Sequence, residues 1–538
     1  MHPCSGEPSQ SSGPTNDPEH PEGLAVKSLQ DVDEPSLDPR LSLSTTILPA
    51  SDDLDAPLSR QLSQLVHPRQ GCASSGDVEK KPDLDYVEPL YVEFEVGDPR
   101  NPVNFSRQRK WAITVLSSFS TLLAAITAAG YNLGFDSMTR DLNCTRFQAT
   151  IGLSTYTLGF GIVPLFTASF SEEFGRQPLY IVSAGGFFIM YIMVALAKNI
   201  QTVIIARFLQ GGFGSTWATM VGGTIADIWV PEDRGLPMTI FTIAAIGGTG
   251  VGPIMAGWIE MNQRLEWKWI QWIQMMICGM YIVLVPLIMK ETRSSILLTR
   301  LAKKIRKETG DKRYRARIED ERASLRTLIF ISCTRPIHLM LTEPIVASFS
   351  LWIGFCWGVV YALVESIPFI FRDLHNFNVG QLGSAFTIMI VGSLLGFMTN
   401  VVQEKLYHKN YPHRGPEARL YMACAAAIML PAGMFIYAWT SFSFVPWIAS
   451  AIGITAVFTY LADTYGPFAS SALAGNLAAM AFPLFTTQMY NNLGYTWAST
   501  LFACIAAVMI PIPFILFFYG PSIRRHSKFS SMVLHGKS

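Results

Sequence analysis

Residues 246–260 read IGGTGVGPIMAGWIE, a run apolar enough to cross a membrane yet interrupted by glycines and by Pro253. In a soluble helix each glycine costs about 0.5–1 kcal/mol relative to alanine and an interior proline about 3 kcal/mol. Such a run stays helical only where something outside the helix compensates. Gly248, Gly252 and Ala256 recur every four residues, so one helix face lacks bulk and a neighbouring helix can approach its backbone. Pro253 removes the hydrogen bond to the Thr249 carbonyl and bends the helix there. The stretch reads as a membrane helix held in a tightly packed bundle.

Composition extends that reading to the whole chain. Half of the 538 residues are hydrophobic and 15% are charged, too apolar a mixture for several soluble domains. The first 100 residues hold 19 Asp+Glu against 7 Lys+Arg, leaving 21 against 34 for the rest. The segment 1–100, rich in Ser, Pro, Asp and Glu (SGEPSQSSGPTNDPEHPEG at 5–23), has no helical period and too little apolar surface to offset its ordering entropy. It is expected to be a disordered acidic tail. No apolar signal follows Met1, so the first hydrophobic helix is expected to direct insertion itself. Cys4, Cys72, Cys144, Cys278, Cys333, Cys356, Cys424 and Cys504 are scattered, with no CxxC and no histidine-rich partner. No metal site, cofactor or disulfide framework is expected.

A helix needs roughly 20 apolar residues to span the hydrocarbon core. Twelve stretches qualify: 111–133, 147–170, 179–197, 202–226, 238–259, 270–289, 345–370, 382–402, 420–440, 444–462, 468–490 and 497–519. The expected fold is an all-α integral membrane protein of twelve transmembrane helices in two six-helix bundles, 101–289 and 345–520. A basic central loop (290–344) joins them, and a short tail (521–538) ends the chain. Fourteen Lys/Arg fall between Lys290 and Arg335, with others at 107–110, 405–419 and 524–528, whereas the alternate loops carry only Arg140, Arg146, Lys198, Arg264, Lys268 and Arg372. The excess of positive charge places both termini in the cytoplasm. The sequon Asn143-Cys-Thr then falls in the first outside loop, making Asn143 a candidate glycosylation site. Tryptophans 267, 269 and 272 read as an interfacial belt.

Two sixes around a midplane cavity is the layout of secondary transporters. A membrane enzyme would need a histidine cluster, a nucleophile with its base, or paired carboxylates near the membrane face, and an ATP-driven pump a GxxxxGK[ST] loop. The chain has none of these. Within the spans, Arg207 shares a face with Gln210, Gly211 and Gly214, and a charge inside a span marks a functional candidate. In FCWGVVYALVESIPFIF (355–371), Trp357, Tyr361 and Glu365 stand four residues apart, a stripe of two aromatics and a carboxylate suited to amphipathic amines.

Several stretches together resemble the major facilitator superfamily, specifically its fungal drug:proton antiporter branch with twelve spans. They are FTASFSEEFGRQPLY (166–180), ARFLQGGFGS (206–215), GGTIADIWVPEDRG (222–235), GVGPIMAG (250–257), WKWIQWIQ (267–274), KETR (290–293), IRKETG (305–310), LTEPIV (341–346), ADTYGPFASSALAG (462–475) and FPLFTTQM (482–489). The resemblance runs from about residue 100 to about 525. It implies a cytoplasmic gate formed by Glu172, the turn at Gly175, Arg176 and its partner Asp227, although Ala168 and Gln177 depart from the branch's usual proline and second basic residue. It implies an antiporter motif at Gly248, Gly252, Pro253 and Gly257 that lies against a helix of the second half. It gives Arg207 a part in proton coupling; the residues themselves offer Glu365 as the opposing charge and Asp136 as the reserve carboxylate. The eleventh span looks short between Gly475 and Phe482 and lacks an arginine often found there. The implied function is proton-coupled export of drugs, toxins, polyamines or a secondary metabolite, with Gln210, Trp357, Tyr361 and Glu365 binding substrate. An uptake transporter and a non-transporting receptor on the same fold are the alternatives. The expected partners are a small-molecule substrate, protons and the lipid bilayer, with no nucleic acid, and the expected location is the plasma membrane, with the vacuolar membrane as alternative.

Overall fold

The computed structural model describes residues 89–526, apart from 96, 321–323, 415–417, 419 and 466–480. The first half consists of α1 (Arg107–Ala129), short α2 (Phe135–Asp141), α3 (Arg146–Phe174), α4 (Arg176–Ala195), α5 (Ile200–Ile228), α6 (Gly235–Glu260) and α7 (Glu266–Ile288). After α8 (Ser294–Thr309) and α9 (Leu325–Thr342) comes the second half. It comprises α10 (Pro344–His375), α11 (Val379–Ala385), α12 (Thr387–Arg414), α13 (Tyr421–Trp439), α14 (Trp447–Tyr465), α15 (Ala481–Met509) and α16 (Pro511–His526). One end of the bundle carries the loops at 175, 229–234 and 289–343 and is called the basic end below.

Among the described residues, nine helices are long and apolar enough to cross a membrane. The fourth expected span is present as the 29-residue α5, but Arg207, Gln210 and its glycines, serines and threonines lower its hydropathy below that of its neighbours. The tenth, α14, offers only the shorter apolar stretch Trp447–Tyr460. Most of the eleventh, including its expected shortness, lies outside the described residues. Helix α15 breaks at Gly494, whose φ of 77° ends one helix and starts the next.

Two segments differ from expectation. The central loop contains α8, where Ile296, Leu297, Leu301, Ala302 and Ile305 repeat at helical spacing opposite a basic face. Arg306 and Lys307 lie in its last turn and Gly310 closes it in the left-handed conformation at φ 72°. A search for 20-residue apolar runs overlooks so short an amphipathic helix. The end of the acidic tail is ordered too. A two-residue strand β1 (Leu90–Tyr91) pairs in parallel with β2 (Tyr314–Arg315) of the central segment, and Asp98 holds Arg100 in an ion pair of 2.7 Å. Residues 1–88 of the expected tail lie outside the described residues, so a deletion of 1–88 serves as the reference for a longer one. Removing 1–100 deletes the strand pair and should lower the melting temperature of the detergent-solubilised protein by a few degrees, as expected for about 1 kcal/mol. An unchanged melting point for the longer deletion would show that the strand pair contributes nothing.

The glycine run of α6 serves two neighbours at once. On one face, a Cβ at Gly252 would stand 3.0 Å from the Gly130 nitrogen, and one at Gly248 2.7 Å from the Ala125 Cβ. On the other, a Cβ at Gly257 would stand 2.7 Å from the Val379 carbonyl oxygen and 2.9 Å from the Gly383 Cα, and one at Gly250 2.9 Å from the Phe386 oxygen. Gly248 and Gly252 thus bring α6 against α1 within the first half. Gly250 and Gly257 bring it against α11 and α12 of the second. The compensation for lost helix propensity is close backbone packing on both faces.

The tryptophan belt is corrected at one position. Trp267 is buried, its indole N–H donating to Asp141 Oδ2 at 3.2 Å, because the polar indole edge finds an internal acceptor. Trp269 is exposed.

Candidate functional site

Close packing of α3 on α5 sets up the centre of the first half. At Gly211 an added Cβ would collide with the Tyr156 backbone, and this approach brings the Tyr156 ring over Arg207, one turn earlier on α5. The Arg207 guanidinium is fully buried, 4.1 Å from the Tyr131 ring centroid and 4.5 Å from that of Tyr156. Its Nη1 donates to the Thr127 carbonyl at 3.2 Å and to Gln210 Oε1 at 3.0 Å. Its Nε and Nη2, and Gln210 Nε2, have no hydrogen-bond partner among the described residues. Cation–π contact with two rings partly replaces lost hydration. It leaves two strong donors unsatisfied, which is costly away from water.

Glu365 lies on α10 in the second half. It is 3% exposed. Its Oε1 accepts from the Thr487 hydroxyl at 2.9 Å and from the Thr150 hydroxyl of α3 at 3.5 Å, and its Oε2 has no partner among the described residues. The structure does not bring Arg207 and Glu365 into an ion pair, since tyrosines surround the one and threonines hold the other. Between them, Tyr361 lies one turn before Glu365, packs against the first half, and falls within electrostatic reach of Arg207. Trp357 packs with the second half, its ring centroid 6.3 Å from that of Tyr361. The expected stripe thus spans the seam between halves.

The end opposite the basic one is closed by contacts between halves. Asn132 Nδ2 donates to the Val364 carbonyl at 2.7 Å. Arg372 of α10 pairs with Asp136 of α2 at 2.9 Å, and Arg146 of α3 reaches the same carboxylate at 3.1 Å. When the halves part, Arg146 can keep Asp136 from standing alone, so the loss of the half-exposed Arg372 pair adds only about 0.2–1 kcal/mol to the cost of opening. Arg372→Ala is expected to increase the labelling rate of a cysteine placed in the seam near this end by about two- to fivefold. Unchanged labelling would rule out Asp136–Arg372 as a latch.

At the basic end, Gly175 turns the chain between α3 and α4 at φ 93°. Arg176 follows, buried, its Nε donating to Asp227 Oδ2 at 2.5 Å. Glu291 stands beneath the turn: Oε1 accepts the N–H of Arg176 at 3.0 Å, of Thr292 at 3.1 Å and of Arg293 at 3.0 Å, and Oε2 that of Gln177 at 3.4 Å. Arg234 donates to the Trp229 and Ala226 carbonyls at 2.8 and 2.7 Å, capping α5. These groups join α4, α5 and the end of α7, all within the first half. Glu172 lies in the last turn of α3, and its side chain is outside the described residues.

Of the expected residues, the structure places Arg207 with Gln210, Arg176 with Asp227, and Trp357 with Tyr361. It adds Tyr131, Tyr156, Thr150, Thr487, Arg146, Arg372, Glu291 and Arg234. Tyrosines and threonines in spans carry no spacing signal, and Glu291 stood only within the quoted KETR.

Two bundles meeting along a seam lined by buried charged and aromatic side chains define a membrane transporter. The model of the Major Facilitator Superfamily matches residues 117–474. The chain is 32% identical over 501 residues to the citrinin biosynthesis cluster MFS transporter of Monascus ruber, covering 89% of this chain and 99% of that one. It is 34% identical over 466 residues to the MFS-type efflux pump MFS2 of Trichophyton rubrum, covering 82% and 78% respectively. It is 33% identical over 466 residues to the major facilitator superfamily multidrug transporter mdrA of Aspergillus fumigatus, covering 82% and 76%. Among solved structures, the proton:xylose symporter XylE bound to 6-bromo-6-deoxy-D-glucose aligns with TM-score 0.56 at 13% identity, covering 77% of this chain and 96% of that one. The chain belongs to the major facilitator superfamily. It is a multi-pass membrane transporter of small molecules, not an enzyme.

Proposed function

We propose that the protein exports small amphipathic organic molecules in exchange for protons across the plasma membrane. The carrying observation is a pair of buried ionisable groups, Arg207 in the first half and Glu365 in the second, each with unsatisfied polar atoms beside the seam. A charge inside a span is retained where it serves transport, and a carboxylate is the simplest group there to take up and release a proton. Export is supported by two relatives named as an efflux pump and a multidrug transporter. The excess of lysine and arginine at the basic end supports a cytoplasmic location for that end and for both termini. Exposed Asn143, with φ 48°, then faces outward, and endoglycosidase should produce a mobility shift that Asn143→Gln abolishes.

The deciding experiment is reconstitution in proteoliposomes, followed by a panel of dyes, toxins and polyamines under an imposed proton gradient. An antiporter moves substrate against the direction of proton flow and carries protons back when substrate flows downhill. Substrate accumulating with the proton flow would establish uptake instead.

A further inference from the structure

We propose that the substrate is a bipolar aromatic molecule, with an acidic oxygen at one end held by Arg207 and Gln210 and a hydrogen-bond donor at the other held by Glu365. The inference rests on the transporter reading above and adds the chemistry of its cargo. Among the described residues, three buried donor sites of the first half, Arg207 Nε, Arg207 Nη2 and Gln210 Nε2, have no acceptor, and a buried acceptor of the second half, Glu365 Oε2, has no donor. Arg207 and Gln210 are 0% exposed and Glu365 is 3% exposed.

Orphaned donors on a guanidinium beside an orphaned amide N–H match a carboxylate or phenolate oxygen, which accepts charge-assisted hydrogen bonds from a planar fork. The orphaned carboxylate oxygen matches an ammonium, amine or hydroxyl. Tyr361 connects the two ends: it lies within electrostatic reach of Arg207 and one helical turn, about 6 Å, before Glu365. Tyr131, Tyr156, Tyr361 and Trp357 supply the aromatic surroundings.

The arrangement also makes proton and cargo compete. Protonated Glu365 loses its charge and half of its acceptor capacity, so the donor end of the molecule is released while the acidic end stays on the permanently charged Arg207. Exchange follows from that competition without a direct Arg207–Glu365 pair. Among the described residues, the other ionisable groups near Glu365 are Arg146 and Tyr490, and those near Arg207 are Tyr131, Tyr156, Tyr191 and Tyr361.

The test measures binding to the full chain in lipid nanodiscs, using 4-(aminomethyl)benzoate, its methyl ester, benzoate and benzylamine as probes. The bipolar probe should bind at least about tenfold more tightly than any of the other three, the difference expected for one charge-assisted hydrogen bond. Arg207→Gln should bring the bipolar probe down to the level of its ester while leaving benzylamine unchanged. Arg207→Lys should restore part of the preference for acid over ester. Glu365→Gln should bring the bipolar probe down to the level of benzoate. Equal affinities for the four probes, binding of none, or an Arg207→Gln variant that weakens all four alike would overturn the proposal. Coupling is read separately: if Glu365→Gln still exchanges protons while the probe ranking holds, the proton site lies elsewhere and the cargo assignment stands. If the ranking collapses while proton-driven transport persists, the cargo assignment alone has failed.

Discussion

Glu365→Gln is expected to bind substrate at least about tenfold more weakly, through the Arg207 end alone, and to fail to concentrate it against a gradient. The amide keeps the shape of the carboxyl group and can still accept from Thr487, whose hydroxyl lies 2.9 Å from Oε1, so the seam should pack as before. It cannot release a proton, so the cycle loses the step that alternates with cargo. Proteoliposomes should show substrate equilibration with a flat pH profile, and accumulation driven by an imposed gradient should fall to background, a loss of about a hundredfold or more if Glu365 is the sole coupling site. Glu365→Asp keeps an ionisable group about one methylene further from Thr487 and Thr150, and should retain part of the coupling with a displaced pH optimum. A Glu365→Gln protein that accumulates substrate with the wild-type pH dependence would move the proton site to another carboxylate. Asp136 is the next candidate, because it already bridges the halves through Arg372.

The second large effect is expected at the basic end. Arg176→Ala leaves Asp227 with only the Thr292 hydroxyl, 3.4 Å from Oδ2, as a described partner, and Asp227→Ala leaves a guanidinium buried against Gly223. Removing one member of a buried pair costs about 3–5 kcal/mol. The side chains here are 8% and 15% exposed, so about 3 kcal/mol is the better expectation. Each single variant should insert, melt several degrees lower in detergent, and transport at a small fraction of the wild-type rate. The double exchange Arg176→Asp with Asp227→Arg should recover part of both losses, a coupling that neither single change shows. Full stability and full transport in both single variants would reduce the pair to a solvated turn.

That pair also shows how far the sequence reaches. Arg176 and Asp227 were identifiable through the stretches that contain them, but their placement inside one half was not. Nothing in a linear pattern says which helix ends will be neighbours. Glu291, 115 residues from Arg176 in the chain, becomes its partner only after α7 packs against α4. The same holds for Thr150 and Thr487 around Glu365, which come from opposite halves of the molecule.

What the sequence determines by itself is whatever depends on local composition and period. The apolar runs dictate helices because backbone groups in lipid must pair within their own segment. The small residues of 246–260 dictate that this helix is approached closely, and the distribution of lysine and arginine favours one orientation. The tertiary structure decides direction and partnership. It turns Gly252 towards α1 and Gly257 towards α11, buries Trp267 on Asp141, and docks Leu90–Tyr91 on the central segment. It also surrounds Arg207 with tyrosines instead of setting it on Glu365. The physical reason is range: helix formation is settled within a few residues, whereas the partner of a buried charge is whichever group helix packing brings within about 3 Å.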